Sequence, residues 1–312
     1  MEVTKVLSDI IKKQRPLIHS ITNYVTVNDC ANALLAIGAR PVMSHALEEA
    51  AEITSGSDGL ELNLGATEYF ESMLLSAYEA RDKGIPVVVD PVGVSGSTHR
   101  REFLKKLMEN CYPTVIRGNR SEILAIIRDE KTETGVDSVK LESDASDEDI
   151  LSEMQCYCRM QKQRYDISGA QHGLILVCSG SKDLIASQDA AVIISGGSPE
   201  MAGVTGTGCM SSVIMAAFVS GARLEDRGEH SAEAELMVQG EECKKTESKR
   251  ENVKKISDFE ACVSAVKYID AAAERAEENL KYLRAKEALP FGNYGTGSYR
   301  VLFMDQLSVN RI

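Results

Sequence analysis

A chain of 312 residues with 43% hydrophobic content can bury a sizeable core, in one large α/β domain or two smaller ones. Its formal charge of −12 argues against nucleic acid or an anionic membrane as a partner, so an anionic ligand requires local positive groups or a metal ion. Met1-Glu2-Val3-Thr4-Lys5 shows no basic segment followed by an apolar run, and no stretch reads as long enough to span a bilayer; the expected location is the cytoplasm. The eight cysteines contain no Cys-x-x-Cys pair, and Cys156 and Cys158 point to different sides of an expected helix, so neither zinc nor disulfides are expected.

Residues 3–13 have helical spacing and stop before Pro16. Residues 17–20 read as a short strand, and the cap- and turn-rich segment 21–28 leads into an Ala/Leu-rich helix over 29–37 closed by Gly38. Thr22 and Asn23 sit at this strand-to-helix junction, where open α/β sheets place ligand groups and where simple capping is an equal alternative. A short strand at 41–43 and an acidic turn at 48–52 precede a third strand at 60–65, then a helix over 67–83 closed by Gly84. Ile85-Pro86-Val87-Val88-Val89-Asp90-Pro91-Val92-Gly93 is the clearest buried parallel strand. Its valine run is uninterrupted because both faces are covered, and Asp90 falls at the carboxyl end, where such sheets bind ligands. The alternation is a βαβ series.

A helix over 99–110 leads to a strand entering another helix at 114–122, with Arg117 at the strand's end and Asn119 as N-cap. Glu122 lies three residues beyond Asn119. The pair is either a capping box with Asn in place of Ser/Thr or a device that orders water on a metal ion beside a phosphate held by Arg117. The charged segment 129–149 reads as a solvated excursion, followed by a helix over 150–164, a second buried strand over 174–180, and a hairpin of 183–187 with 190–195 at the sheet's antiparallel end.

The loop Gly196-Gly197-Ser198-Pro199 delivers the chain to Gly203-Val204-Thr205-Gly206-Thr207-Gly208-Cys209, a Gly/Thr stretch that runs into an apolar helix over 210–218. Glycines flanking Thr207 permit positive φ and close backbone approach, and the helix start offers free N–H groups and a positive dipole end to an anion. A thiol in the first turn, at Cys209, is biased toward thiolate. Taken alone, the stretch is equally an ordinary tight turn before a core helix. The dinucleotide fingerprint fails at its third position, which is Ser211, and no Gly-x-x-x-x-Gly-Lys-[Ser/Thr] run exists, so a Walker-type cradle is excluded. Beyond it, 222–257 is strongly charged and reads as a mobile insertion or an exposed helix; 258–285 is a long amphipathic helix, 292–297 a flexible turn and 299–307 a short terminal element.

Four stretches match one pattern in order and spacing: His19-Ser20-Ile21-Thr22-Asn23-Tyr24-Val25-Thr26 with Pro41-Val42-Met43, then Val89-Asp90-Pro91-Val92-Gly93, then Ile116-Arg117-Gly118-Asn119 with Glu122, then Val204-Thr205-Gly206-Thr207-Gly208-Cys209. The chain thereby resembles hydroxyethylthiazole kinase, a ribokinase-like enzyme of thiamin salvage, along nearly all its length apart from 222–257. The resemblance implies a three-layer α/β/α sandwich with a mostly parallel central sheet, in a single domain over 1–312. It implies ATP- and Mg²⁺-dependent phosphorylation of the hydroxyl of 4-methyl-5-(2-hydroxyethyl)thiazole, in a homotrimer with pockets at subunit interfaces. Carried over by position, Asn23, Val25, Met43 and Gly206 line the substrate pocket. Arg117, Ser179 and Gly180 hold ATP, Asp90 and Glu122 organise the metal, and Gly206, Thr207, Gly208 and Cys209 form the anion hole and base position. Thr207 stands where the family usually has Ala, Arg120-Ser121 where it has small residues, and Ser179 where Thr is common. The rival activities are hydroxymethylpyrimidine kinase, nicotinamide-nucleotide-hydrate dehydratase and a catalytically silent thiazole-binding protein. Cys209, where many relatives of the first two place Asp, speaks against both.

Overall fold

The computed structural model describes residues 2–128, 145–170, 172–238, 255–286 and 294–309, with side chains in all of these except 226–238. Helix α1 (Glu2–Gln14) buries Leu7, Ile10 and Ile11 and ends before Pro16, after which the chain enters β1 (Leu17–Ile21). Helix α2 (Val27–Ile37) closes on Gly38, whose φ of 97° is the left-handed cap that glycine adopts without penalty. Then come β2 (Arg40–Val42), α3 (Ala50–Ser55), β3 (Gly59–Asn63), a 3₁₀ turn (Thr67–Tyr69), α4 (Phe70–Lys83), β4 (Val87–Asp90), α5 (Thr98–Asn110), β5 (Val115–Asn119) and α6 (Arg120–Ile127). The second half contains α7 (Asp147–Ser168), β6 (Ile175–Ser179), β7 (Asp183–Ala186), β8 (Ala191–Ile194), a 3₁₀ turn (Pro199–Gly203), α8 (Thr207–Val238), α9 (Asp258–Ala285) and α10 (Thr296–Val309).

The strands form one eight-stranded sheet in the order β2-β1-β3-β4-β5-β6-β7-β8. From β2 to β6 the pairs are parallel, and β7 and β8 add an antiparallel hairpin at the edge, as the sequence predicts. Two apolar clusters cover its faces. Leu7, Leu34, Val88, Val115, Phe218 and Tyr268 belong to one; Leu60, Leu62, Met73, Val87, Val89, Leu107 and Tyr165 belong to the other. The result is the α/β/α sandwich.

Side-chain alternation along a strand then assigns every site residue to one face. Leu60 and Leu62 of β3 lie in the second cluster, so Glu61 and Asn63 face the first, as do Asp90, two residues after Val88, and Arg117, two residues after Val115. The covering element there is α8, in which residues 210–222 are all buried. Its segment Thr207–Glu225 is 19 residues long with a mean hydropathy of 1.3, which corrects the expectation that no stretch reaches spanning length. Since 78% of that apolar window is buried against the rest of the chain, its hydrophobicity is that of a core helix.

Several boundaries move. The charged stretch expected from 222 begins inside α8: Ala222 is buried, and Arg223 donates to Asp258 from Nη2 at 2.7 Å and Nε at 3.0 Å, joining α8 to the start of α9. Helix α7 starts at Asp147, capped by Ser146 and Asp149, and the terminal element is a helix of 14 residues. The expected excursion falls mainly on 129–144, outside the described residues, as do 239–254 of the charged stretch and 292–293 of the expected turn, while Thr296 and Gly297 of that turn already belong to α10.

Asp270 of α9 is buried beneath the loop after β8, where a Cβ at Gly196 or Gly197 would come within 2.9 or 3.0 Å of its carboxyl oxygens. Its Oδ2 has no hydrogen-bond partner, and burial, then Asp183 and Glu274, push its pKa from 3.8 to about 7. Because the folded value lies above the unfolded one, ionisation costs stability; the cost is absent below pH 3.8 and complete above about 7. Asp270→Asn should therefore raise stability at pH 8 by a few kcal/mol, at about 1.4 kcal/mol per pKa unit. Urea unfolding of both proteins at pH 8 and pH 4 checks this, since most of the difference should be lost at pH 4.

Candidate active site

From β1 the chain turns outward to β2 and then crosses to β3 on the other side of β1. The carboxyl ends of β1 and β3 thus form the switch point at which open α/β sheets leave a crevice. Asn23 follows β1, Asn63 ends β3, Asp90 ends β4, Arg117 lies on β5, and the start of α8 faces them.

Asn63, fully buried, connects the group. Its Nδ2 donates to Asp90 Oδ2 at 2.9 Å and to Cys209 Sγ at 3.1 Å, while its Oδ1 accepts from the Gly65 N–H at 2.9 Å and from Asn23 Nδ2 at 3.2 Å. Asn23 Nδ2 also lies 3.6 Å from Cys209 Sγ. Burial pushes the Asp90 pKa up to about 6; Arg117 opposes that rise, Glu122 adds to it, and contacts from Cys209 and Ser212 oppose it. Burial and the Arg117 guanidinium thus act on the carboxylate in opposite directions.

Cys209 is 9% exposed, and burial, followed by the nearby Asp90, raises its thiol pKa to about 12. This overturns the thiolate reading: the helix start is positive, but desolvation and a neighbouring carboxylate outweigh it. The glycines divide their work. Gly206 has φ +88° and a Cβ there would sit 2.8 Å from Thr26 Cγ2, whereas Gly208 is not among the positive-φ residues. At Gly208 the constraint is instead a close approach. Arg117 Nη1 donates to its carbonyl at 3.0 Å and lies 3.1 Å from where a Cβ would be. Thr207 turns its hydroxyl inward to the Met201 and Val204 carbonyls, both at 3.3 Å, so the ligand-facing donors of this loop are backbone N–H groups.

Asn119 and Glu122 do form a capping box: Asn119 Oδ1 accepts the Glu122 N–H at 3.0 Å, and Glu122 Oε2 accepts the Asn119 N–H at 2.9 Å. Oε1 of Glu122 accepts the Gly93 N–H at 2.9 Å, which pins the turn after β4 to α6. Capping does not exhaust the carboxylate, whose oxygens each keep a second lone pair. Among the described residues no group of three or more His, Cys, Asp or Glu gathers to hold a metal. One or two hard carboxylates beside a phosphate suit Mg²⁺, which keeps several waters and shares its remaining positions with nucleotide oxygens, so Asp90 and Glu122 fit that ion.

Of the other expected residues, Ser179, in register with Asn119, donates from Oγ to the Gly118 carbonyl at 3.2 Å, with Gly180 following it. Arg120 is occupied by Asp147 at 2.8 Å and by the Ala145 carbonyl. Met43 is partly buried against the first cluster. Val25 is 58% exposed and Tyr24 79%, so Val25 does not line a pocket closed within this chain. A cavity of about 450 Å³, lined in part by His172, Leu174, Arg223 and Asp258, opens at the other end of β6 and receives none of these groups.

Sequence reasoning missed Asn63, Glu61 and Ser212. Glu61 is fully buried, accepts from Ser20 Oγ at 2.5 Å, and has its pKa driven well up by burial. The legible signal was Leu60-Glu61-Leu62-Asn63-Leu64, in which a carboxyl and an amide occupy one face of an otherwise apolar strand.

A model of the hydroxyethylthiazole kinase family matches residues 8–271. The chain belongs to that family. It is 40% identical over 212 residues to the hydroxyethylthiazole kinase of Nitratidesulfovibrio vulgaris strain DP4, covering 67% of this chain and 73% of the relative. It is 34% identical over 237 residues to that of Methanocella arvoryzae, covering 75% and 83%. The solved structure of the Pyrococcus horikoshii OT3 hydroxyethylthiazole kinase superposes with a TM-score of 0.69 at 24% identity, covering 99% of this chain and 94% of that one, which establishes the shared fold. This hydroxyethylthiazole kinase family member is therefore a kinase with a ribokinase-like sandwich, in which Asn23 after β1, Asp90 of β4, Arg117 of β5 and Cys209 of α8 come together.

Burial and the raised pKa of Cys209 both predict low reactivity. At pH 7.5 iodoacetamide should modify exposed Cys156 while Cys209 stays unmodified, as read by peptide mass spectrometry. Faster labelling of Cys209 than of Cys156 would restore the thiolate reading.

Proposed function

We propose that this site transfers the γ-phosphoryl group of ATP to the hydroxyl of 4-methyl-5-(2-hydroxyethyl)thiazole, releasing ADP and supplying the thiazole phosphate for thiamin salvage. The observation that carries the reading is the cluster of Asp90, Asn63 and Cys209 between Arg117 and the start of α8, in a chain matched to the family over residues 8–271. The hydroxyl oxygen bonds to phosphorus as the bond to the ADP oxygen breaks. The hydroxyl proton leaves late, onto the transferred phosphoryl oxygens and then to solvent, so a strong base is not needed.

Positioning and charge supply most of the rate in such a transfer. Backbone N–H groups over 206–209 face the oxygens that gain charge, and Arg117, braced on the Gly208 carbonyl, adds a positive group. Asp90 and Glu122 would hold Mg²⁺, which would neutralise nucleotide phosphate charge. Ser179 and Gly180 border the nucleotide. Asn23, Met43 and Gly206 contact the thiazole, and Cys209, a thiol rather than a thiolate, packs and hydrogen-bonds beneath its hydroxyl. The exposure of Tyr24 and Val25 supports a pocket completed by a neighbouring subunit in a homotrimer. We read residues 1–312 as one cytoplasmic kinase domain in which the charged stretch expected over 222–257 is dispensable only beyond its first residues, since Ala222 is buried and Arg223 is bonded to Asp258.

Purified protein given the thiazole alcohol and Mg-ATP should form the thiazole phosphate and ADP, and no ADP above background would sink the proposal. Arg117→Ala and Glu122→Gln should each lower turnover by roughly 10²-fold, the worth of one transition-state charge contact. Single-turnover kinetics should find Gly208→Val inactive though folded, and Cys209→Ala reduced by only about 10- to 10³-fold. The reverse order of severity would make the thiol the centre of the chemistry.

A further inference from the structure

Asn63 is the one side chain in the cluster that touches both groups presented to the reaction and also the loop proposed to carry the substrate. A side-chain amide offers two N–H donors and a carbonyl with two lone pairs. All four are used: the donors on Asp90 Oδ2 and Cys209 Sγ, the carbonyl by the Gly65 N–H and Asn23 Nδ2. The orientation is settled by chemistry, because the Gly65 N–H can only donate and therefore faces Oδ1, leaving the amino group toward the carboxylate and the sulfur. A rotated amide would aim its amino group at that N–H and its oxygen at a carboxylate.

The surroundings allow no substitute. Aspartate has the shape but no donors, glutamine has the groups on a longer stem, and serine has one hydroxyl. The close approach of the loop after β3 adds to the constraint, since a Cβ at Gly65 would lie 2.7 Å from Asn63 Oδ1. Asn63 occupies Asp90 Oδ2, so Oδ1 is left as the oxygen of that carboxylate with no bond from β3, and the thiol is held at a fixed distance from it.

We propose that Asn63 is a positioning residue for phosphoryl transfer, its amide setting the relation among the Asp90 carboxylate, the Cys209 thiol and the Asn23 loop. This rests on the reading of the site given above. A purely structural role is the competing account: Asn63 would then do no more than hold the turn through Gly65. The two separate in Asn63→Ser, whose hydroxyl can still accept the Gly65 N–H in a side-chain turn but cannot donate to Asp90 and Cys209 together. Asn63→Asp keeps the shape and the turn acceptor while placing an oxygen where the amino group was.

The experiment measures steady-state and single-turnover kinetics of wild type, Asn63→Ser, Asn63→Asp, Cys209→Ala and the Asn63→Ser/Cys209→Ala double variant, after circular dichroism has verified folding. We expect Asn63→Ser to lower kcat by roughly 10²-fold with KM for Mg-ATP within about twofold, and Asn63→Asp to be lower still. In the Cys209→Ala background the Asn63→Ser loss should shrink below about tenfold, because one of its two targets is already gone. Wild-type kcat in Asn63→Ser, a loss confined to KM, or a loss that multiplies in full in the double variant would overturn the proposal. So would failure of both Asn63 variants to fold, which would assign the residue to the turn alone. An inactive wild type would instead defeat the functional reading, and so the two failures are distinguishable.

Discussion

The structure depends on burying α8 across the sheet. Residues 210–222 of that helix are all enclosed, so its position is fixed by packing along more than three turns and its start cannot drift from the carboxyl ends of the strands. Gly206, at φ +88° and against Thr26, permits the abrupt entry into the helix, and Arg117 grips the Gly208 carbonyl from β5. A rigid core helix thereby aims a set of backbone donors at one point.

The same packing imposes a cost. Ser20, Glu61, Asn63, Asp90 and Arg117 face α8 from the sheet and Cys209 meets them from the helix, and removing such groups from water is unfavourable unless they satisfy one another. The observed bonds distribute that burden. Ser20 donates to Glu61, Asn63 donates to Asp90 and Cys209, and Arg117 offsets the charge of Asp90. The deeper Glu61 has one oxygen, Oε1, without a partner and is driven further up in pKa than its ordinary range, whereas Asp90, nearer the guanidinium, rises only to about 6. Burial raises both acids, and the Arg117 guanidinium opposes that rise at Asp90, whereas at Glu61 the opposing contact is the hydrogen bond from Ser20.

Much of the scaffold was legible because its signals are local. The valine run at 87–89, the glycines at 38 and 84, Pro16, and the alternation of strand and helix each act within a few residues, and each appears where the spacing put it. The capping box at Asn119 and Glu122 was legible for the same reason. Helix starts were less so: α7 begins three residues earlier than apolar periodicity suggests, since its first turn is made of acidic capping residues rather than core residues.

The sequence by itself determined the sheet's class, the Gly/Thr entry to α8, and the candidate positions Asn23, Asp90, Arg117, Glu122 and Cys209, because composition and short-range spacing carry that information. Only the tertiary structure decided what those residues are to one another. The upward shift of the Cys209 thiol follows from desolvation beside Asp90, and the tight contact at Gly208 comes from a guanidinium on another strand, not from backbone φ. Asn63 joins residues 40, 27 and 146 positions away, and no local pattern encodes a hydrogen-bonded cluster formed by four elements meeting at a switch point.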